Sequence, residues 1–316
     1  MKLISFAATL AISASAAWAQ TYPAKPVTMI NPYPAGGGLD VMARIVAQEL
    51  STLWKQPVLI EAKPGAGTTI SAAYVARAPA DGYTLLLSTT QHAVAPALYK
   101  NLTYDYLTSF APITTIAEST FVLVTRNDLK VDSVRQLMDL MKQKGSAMNW
   151  ASTGPASIPH LGGAWFNMVT GTNGTHVPFQ GTAPALAAIL GGQVDYLFAD
   201  VSAVPQVRAG KVRGLAVTTP KRVGALPNLP TMSEAIPGFV LSVWVAIEAP
   251  AGTPRAVIDR VNSSVQSVSK HEIVAKRMAD VASEPSWMSP EDFAAYRKQE
   301  VEKYAKLVKE SGAKLE

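Results

Sequence analysis

Residues 29–40 read Met29-Ile30-Asn31-Pro32-Tyr33-Pro34-Ala35-Gly36-Gly37-Gly38-Leu39-Asp40 and hold the most informative pattern of the chain. An apolar run over residues 26–30 precedes them, and apolar residues recur at helical spacing over residues 41–54. The order predicts a strand, a glycine-rich loop and a helix. Three glycines let a ligand approach the backbone closely, and the helix start presents unpaired N–H groups with a partial positive charge. The glycine loop and the helix start together suit an anion. Because they contain no cationic or nucleophilic side chain, they predict a site that binds a carboxylate without reacting with it.

The first 19 residues have the pattern of a secretory signal peptide. Lys2 forms a short positive region, residues 3–17 are apolar, and Ala17-Trp18-Ala19 offers small residues for cleavage before Gln20. A membrane anchor is the weaker interpretation, because the apolar run is short for a membrane crossing. No later stretch is apolar over a membrane length, so we expect a mature chain that is exported to the periplasm and free in solution.

The composition excludes several classes of function. The chain has 316 residues and no cysteine, which excludes a disulfide framework, a cysteine nucleophile and a lipoprotein anchor. Cleavage before Gln20 removes only Lys2 from 28 basic residues, so 27 remain against 23 acidic ones, a net charge of +4. This small excess does not favour nucleic acid, and four scattered histidines give no zinc spacing, so no metal or cofactor is expected. The nearest basic cluster is interpreted as a solvated face: Lys211, Arg213, Lys221 and Arg222.

Strands and helices alternate along both halves of the chain, which predicts an α/β fold with mostly parallel sheets. In the first half we expect strands over residues 27–31, 58–61 and 83–88, helices over 39–54 and 69–77, and a polar loop over 89–92. In the second half we expect strands over residues 147–151, 175–178, 193–198 and 213–218, and helices over 159–169, 183–190 and 204–209. Each half places polar, glycine-containing loops after the carboxyl ends of its strands, where open α/β sheets bind ligands.

Two such halves predict two lobes with a cleft between them, in a chain long enough for both. The apolar stretches 121–125 and 241–247 are the expected crossings, and helices over 255–270 and 290–311 return to the first lobe. We therefore divide the chain into residues 1–19 (signal peptide), residues 20–122 with 226–316 (first lobe), and residues 123–225 (second lobe).

Several motifs, in this order, resemble the Bug/TctC family, the periplasmic solute-binding receptors of tripartite tricarboxylate transporters. The resemblance covers nearly the whole mature chain and begins with residues 29–40. Its further motifs are Tyr22-Pro23-Ala24-Lys25-Pro26-Val27, Lys63-Pro64-Gly65-Ala66-Gly67, Asp81-Gly82-Tyr83, Ala151-Ser152-Thr153-Gly154 with His160-Leu161, His176-Val177-Pro178-Phe179-Gln180-Gly181-Thr182, Leu190-Gly191-Gly192-Gln193-Val194-Asp195, Ala249-Pro250-Ala251-Gly252-Thr253-Pro254 and Ser311-Gly312-Ala313-Lys314. Each is weak alone, and the ordered set behind a signal peptide is specific.

The resemblance implies a type II periplasmic binding protein fold, the two-lobed Venus flytrap, which agrees with the two βαβ halves. It also implies a small carboxylate ligand, such as a di- or tricarboxylate or an aromatic acid, held between one loop of each lobe. The first loop is carried over as Tyr33, Pro34, Ala35, Gly36 and Gly37 with Asp40, and the second as Ser152, Thr153, Gly154 and Ser157. The remaining wall is expected from Thr68, Thr69, Thr89, Thr90, Gln91, His160, Phe179, Gln180, Gly181, Thr182 and Asp200.

Several of these residues have a structural alternative. Asp40 is interpreted mainly as orienting the glycine loop, and His160 mainly as orienting the second loop. Asp200 either meets an amino group of the ligand or caps the next helix. Phe179 either forms a wall of the pocket or packs in the core.

These residues are compatible with a receptor or a sensor and disfavour an enzyme. We favour a monomeric receptor that delivers a small organic acid to membrane transporter subunits. A sensor that docks on a membrane sensor kinase is compatible with the same ligand site. A serine hydrolase is disfavoured, because no Gly-x-Ser-x-Gly elbow surrounds Ser157 and the phosphate-loop and dinucleotide glycine signatures are missing. We therefore expect no enzyme activity.

Overall fold

The structure, a computed structural model, describes residues 22–36 and 38–311. The predicted signal peptide, its cleavage site and the loop residue Gly37 lie outside the described residues and stay predictions. Within the described residues the expected α/β organisation is confirmed, since strands and helices alternate along both halves.

The bounds of the elements follow, over the described residues. The strands are β1 (Val27–Asn31), β2 (Val58–Ala62), β3 (Thr84–Thr89), β4 (Phe110–Thr120), β5 (Val122–Thr125), β6 (Asn149–Ser152), β7 (Thr175–Pro178), β8 (Tyr196–Ala199), β9 (Arg213–Val217), β10 (Ser242–Pro250) and β11 (Ser283–Pro285). The α-helices are α1 (Gly38–Trp54), α2 (Thr69–Ala76), α3 (Thr90–Leu98), α4 (Val134–Lys144), α5 (Ile158–Thr170), α6 (Thr182–Leu190), α7 (Val204–Arg208), α8 (Met232–Ala235), α9 (Arg255–Ser269), α10 (Glu272–Asp280) and α11 (Pro290–Ser311).

The strands form two mixed sheets, in the orders β11-β4-β10-β3-β1-β2 and β7-β6-β8-β5-β9. Strand β1 pairs in parallel with β2 and β3, and β6 pairs in parallel with β7 and β8. The remaining pairings are antiparallel, so the prediction of mostly parallel sheets is wrong. Four of these five antiparallel pairings involve β5 or β10, which each begin where the chain has just crossed from the other lobe and therefore run against their neighbours.

The chain passes between the sheets at two places. Strand β4 of the first sheet ends at Thr120 and β5 of the second begins at Val122, so Phe121 is the first crossing. The return crossing lies between Leu241 and Ser242, where β10 begins. The two predicted crossing stretches therefore contain the observed ones.

The segment before the return crossing packs in the second lobe. The Phe239 ring stacks on Trp165 of α5 with ring centroids 4.1 Å apart, and on Phe198 of β8 with centroids 5.7 Å apart. An isolated parallel bridge joins Val217 to Thr231. On these contacts we propose that the second lobe extends to Leu241 instead of ending at residue 225.

The C-terminal helices complete the first lobe. Helix α9 packs on β4 and on α1, where the Trp54 Nε1 donates to the Ser264 hydroxyl at 2.8 Å. Helix α11 packs on α3 and also touches α5 of the second lobe.

Among the residues that the structure describes, no helix combines the length and the apolar content needed to cross a membrane.

Candidate ligand-binding site

The Asp40 carboxylate holds the glycine loop in place from the first turn of α1. Its Oδ1 accepts from Asn31 Nδ2 at 3.1 Å, and its Oδ2 accepts from Gly36 N at 2.9 Å and from Arg44 Nε at 2.8 Å. The hydrogen bond from Arg44 is the main cause that lowers the pKa of Asp40. Both carboxylate oxygens of this buried residue are thus engaged within the protein, which agrees with the loop-orienting interpretation.

The loop itself, residues 33–36, is exposed at the carboxyl end of β1. Tyr33 N donates to Asn31 Oδ1 at 2.9 Å, and the Tyr33 phenol hydrogen-bonds the Thr89 side chain at the end of β3. Gly36 has a φ of 87°, a region that favours glycine, and a Cβ there would meet no atom within 4 Å. The Gly36 N–H is donated to Asp40 and is therefore not free for a ligand.

The threonines expected to line the first lobe have different positions. Thr68 is buried with a left-handed backbone (φ 78°), and its hydroxyl has no hydrogen-bond partner among the described residues. Thr69 is half-buried and donates to a backbone carbonyl of the preceding turn at 2.9 Å. The Thr90 hydroxyl donates to Ser242 O at 3.2 Å and accepts from Trp244 N at 3.1 Å, both in the backbone of β10.

The predicted polar loop over 89–92 is instead the end of β3 and the first turn of α3, with Thr89 as the helix cap and Gln91 half-buried.

Buried His92 supports that cap and is kept neutral. Its Nδ1 accepts from Thr89 N at 3.0 Å, which places the ring proton on Nε2, and Nε2 has no partner among the described residues. Burial lowers the pKa of His92 to about 3. The arrangement is a capping box in which histidine takes the place of the usual Glu or Gln.

The second predicted loop is built from hydroxyl groups that bond to its own backbone. The Ser152 hydroxyl is hydrogen-bonded to His176 Nε2 at 2.7 Å and accepts from Gly154 N at 3.2 Å. The Ser157 hydroxyl donates to Gly154 O at 2.7 Å and caps α5 by accepting from His160 N at 3.3 Å. Gly154 has a φ of 124°, so glycine is needed there. The half-buried Thr153 hydroxyl has no partner among the described residues.

Three stacked rings support this loop from below. The rings of His160 and His176 lie 4.2 Å apart at an interplanar angle of 3°, and Trp150 stacks against His176 at 4.2 Å and against His160 at 5.8 Å. His160 Nδ1 accepts from Ala156 N at 2.9 Å, so its proton is on Nε2. Burial and the neighbouring His160 lower the pKa of His176 to about 4. From sequence His176 is interpreted as structural or exposed; the structure places it on β7 opposite Trp150 of β6, where it supports the loop.

Ser157 and His160 are not arranged as a nucleophile and its base. The Ser157 hydroxyl is donated to a carbonyl, and the Nδ1 of His160 is occupied by a backbone N–H. A nucleophile elbow requires a hydroxyl aimed at an accepting histidine nitrogen. Ser157 and His160 therefore do not form the nucleophile and base of an acyl-transfer site.

The remaining predicted wall residues lie on the second lobe. Thr182 Oγ1 donates to Asp200 Oδ2 at 2.7 Å, and Ser202 N donates to Asp200 Oδ1 at 2.9 Å. Asp200 thus caps the turn before α7, the structural alternative considered for it.

The connection into α6 presents the other three wall residues. Phe179 is half-buried and packs against the core of the second lobe. Gln180 is exposed and Gly181, half-buried, precedes α6 with a φ of 106°.

A cavity of about 390 Å³ between the lobes brings part of the predicted site together. Gly36 and Gly38 form its wall on the first lobe, and Asp200 and Ser202 form its wall on the second. Arg208, at the end of α7, also lines the cavity and was missed, because nothing in its local sequence separates it from other exposed cations. No hydrogen bond among the described residues joins loop 33–36 to loop 152–157.

The acidic and histidine side chains of the described residues bear on metal binding and on the response to pH. Over residues 22–36 and 38–311 no group of three or more His, Asp or Glu side chains is arranged to hold a metal ion. Burial lowers the pKa values of the site histidines His92, His160 and His176.

Acidification is expected to destabilise the protein through His92. The unfolded chain binds a proton at this residue near pH 6.5, whereas the folded protein does so only near pH 3. Stability is therefore full above about pH 6.5 and falls by about 1.4 kcal/mol per pH unit below it. His92→Gln keeps the capping acceptor without titrating, so urea unfolding should show a flatter dependence between about pH 6 and about pH 4. His271→Gln, at a half-exposed position, is the control, and an equal effect of both variants would contradict the assignment.

Comparison with known proteins agrees with this geometry. Residues 42–313 match the family described as tripartite tricarboxylate transporter family receptor, TctC. BugT of Bordetella pertussis is 35% identical over 317 residues, which cover 98% of this chain and 96% of that protein. The structure of R. palustris Rpa4515 with adipate has a TM-score of 0.80 at 32% identity and covers 93% of this chain and 100% of that one. MatC from Rhodopseudomonas palustris with bound malate has a TM-score of 0.75 at 30% identity and covers 91% of this chain and 100% of that one.

These similarities extend over nearly the whole chain and include both lobes. The fold expected from the sequence is confirmed as the two-lobed α/β periplasmic binding protein fold. The chain belongs to the TctC/Bug family of periplasmic solute-binding receptors of tripartite tricarboxylate transporters.

Proposed function

We propose that this protein is exported to the periplasm and captures a small organic acid between its lobes for a tripartite tricarboxylate-type transporter. The observation that carries the proposal is the glycine loop that Asp40 holds exposed at the start of α1, facing the second lobe across the cavity. A helix start with unpaired N–H groups favours an anion. The relatives with bound adipate and malate support a carboxylate as that anion.

The predicted site residues divide into two groups in this proposal. One group contacts the ligand through exposed backbone or free polar groups, and it includes residues 33–36 with Gly38, Thr153 and the Nε2–H of His160. The other group positions the first, since its polar atoms are already bonded within the protein: Asp40, Thr89, Thr90, Ser152, Ser157 and Asp200. Thr68, Thr69, Gln91, Phe179, Gln180, Gly181 and Thr182 complete the proposed walls.

A thermal-shift screen of the ligand-stripped mature protein tests the function. The panel contains malate, adipate, citrate, benzoate and glutamate, with the diamide of adipate as a matched neutral control. Because a ligand that binds only the native state raises the melting temperature by mass action, one acid subclass should give a saturable rise and the diamide none. A rise with the diamide equal to that with adipate, or no rise with any acid, would contradict carboxylate capture.

Thr153→Val is expected to weaken binding of the acid selected by that screen by about fivefold, since one hydrogen bond is worth about 1 kcal/mol. The melting temperature without ligand should stay unchanged, because the Thr153 hydroxyl has no partner among the described residues. Ser157→Ala is the matched comparison and should lower that melting temperature, because it removes the cap of α5. Calorimetric affinity equal to that of the wild type would remove Thr153 from the contact group.

A further inference from the structure

The turn between α10 and β11 touches the second lobe and separates two cavities. Ala282, at a left-handed φ of 51°, packs against the second-lobe core and lines both cavities. The cavity nearer the crossings has a volume of about 240 Å³ and is lined by Glu118 and Glu284 of the first lobe and Lys221 of the second. The other, of about 390 Å³, is lined by Asp280 of the first lobe and Arg208 of the second.

Around these two cavities, the second lobe contributes the cations Arg208 and Lys221, and the first lobe contributes acids. Arg208 and Lys221 belong to the second lobe, and Glu118, Asp280 and Glu284 belong to the first. No ion pair among the described residues joins these cations to these acids. The Arg208 guanidinium is held on its own lobe by two hydrogen bonds to Ala225 O, at 3.1 and 2.8 Å, which leave its charge unneutralised.

Like charges meet at this acidic edge, and the first-lobe cation near it, Lys303, is the smallest of the causes that act on the pKa of Glu118. Glu118 and Glu284 are directly opposite each other on β4 and β11, where like charges destabilise a strand pair. Burial is the main cause that raises the pKa of Glu118, whose side chain hydrogen-bonds Ser242, and the negative charge of Glu284 raises it further. An approaching lysine would relieve that repulsion.

We propose that Arg208 and Lys221 of the second lobe and Glu118, Asp280 and Glu284 of the first form a charge seam that attracts the two lobes toward each other. On closure about the crossings at Phe121 and Leu241, Arg208 approaches Asp280 and Lys221 approaches Glu284. Arg208 and Asp280 line the larger cavity, where the ligand is proposed to bind, and the seam favours the closed state even when that cavity holds no ligand. It thereby gives the basic residue Lys221, interpreted from sequence as part of a solvated face, a role in closure.

Single-molecule energy transfer on the ligand-free mature protein tests the seam. The chain has no cysteine, so Tyr74→Cys on α2 and Leu190→Cys on α6, both exposed positions in different lobes, take the two dyes specifically. Raising sodium chloride from about 20 mM to about 500 mM shortens the Debye length several-fold and should lower the ratio of closed to open molecules. At the lower salt concentration Arg208→Glu should lower this ratio by about two- to fivefold, the range of an exposed ion pair.

Exchanging the charges of Arg208 and Asp280 tests directly whether these two residues attract each other. Arg208→Glu combined with Asp280→Arg should restore the wild-type ratio, because the same pair is formed in reverse. Lys211→Glu makes the same change in net charge at an exposed second-lobe position that lines neither cavity, and should leave the ratio unchanged. A salt-independent distribution, an equal effect of Lys211→Glu, or a swap no better than the single variants would overturn the seam. Since no ligand is used, each of these results leaves the proposed carboxylate capture to its own test.

Discussion

Asp40→Asn is expected to weaken acid binding by about 10- to 100-fold. The substitution removes the charge that accepts from Gly36 N and Arg44 Nε, and hydrogen bonds to a charged group are worth about 1.5–3 kcal/mol. The loop 33–36 then loses its tie to α1, and its backbone no longer presents one arrangement to the ligand. Calorimetric titration with the acid selected by the thermal-shift screen measures the loss.

The fold should survive this change, because Arg44 is half-exposed and can be hydrated when Asp40 is neutral. Asp259→Asn is the matched control: it changes the same residue type in an exposed pair with Arg255 four residues away, and affinity should stay at the wild-type value. Equal affinities of the Asp40 variant and the wild type would show that the loop holds its shape without the carboxylate.

Glu248→Gln is expected to lower the free energy of unfolding by about 3–5 kcal/mol. Glu248 is fully buried on β10 and pairs with Arg297 of α11, which is 3% exposed. Its other oxygen accepts from the Tyr106 hydroxyl at 2.7 Å, and that hydroxyl also bonds Ser88 at 2.7 Å. Neutralising the acid leaves the Arg297 charge buried without its counter-ion, which is costlier than losing the attraction alone.

Urea unfolding measures this effect, and two comparisons define its cause. Glu291→Gln breaks an ion pair whose two partners are both 62% exposed, so a change of at most about 1 kcal/mol is expected. Replacing Glu248 and Arg297 together by methionine should recover much of the lost stability, because no unpaired charge remains. A double variant as unstable as Glu248→Gln would place the effect in packing instead of in the charge.

Local patterns were sufficient to predict the elements with clear periodicity. The apolar run over residues 26–30, the glycines after it and the helical spacing over residues 41–54 predicted β1, the loop and α1. Helix α11 was predicted with its observed bounds. The long strand β4 was not predicted, because Pro112 and its threonines interrupt the apolar run that marks a strand. Its stability comes from pairing with β10 and β11 on both sides, which no local sequence reports.

The residues of the candidate site also divide into those that local sequence predicts and those that depend on distant partners. Gly36 and Asp40 could be named from sequence because a glycine loop before a helix is a short-range pattern. Ser157 was named from the family resemblance as a ligand contact, and the structure places it at the cap of α5. The partners of those residues could not, because they are remote in sequence or depend on side-chain directions. Ser152 bonds His176, 24 residues away, and the Thr90 hydroxyl turns to β10, 152 residues away.

The sequence by itself determined the alternation of strands and helices, the loops that follow the strands and, through the ordered motifs, the receptor family. These features depend on periodicity, on glycine at positive φ and on helix caps, all of which act within a few residues. Only the tertiary structure decided which hydroxyls are already bonded, how His160 stacks on His176, and which charges face each other across the lobes. Those outcomes depend on contacts between segments far apart in the chain, whose energies come from burial and from neighbours that no local pattern encodes.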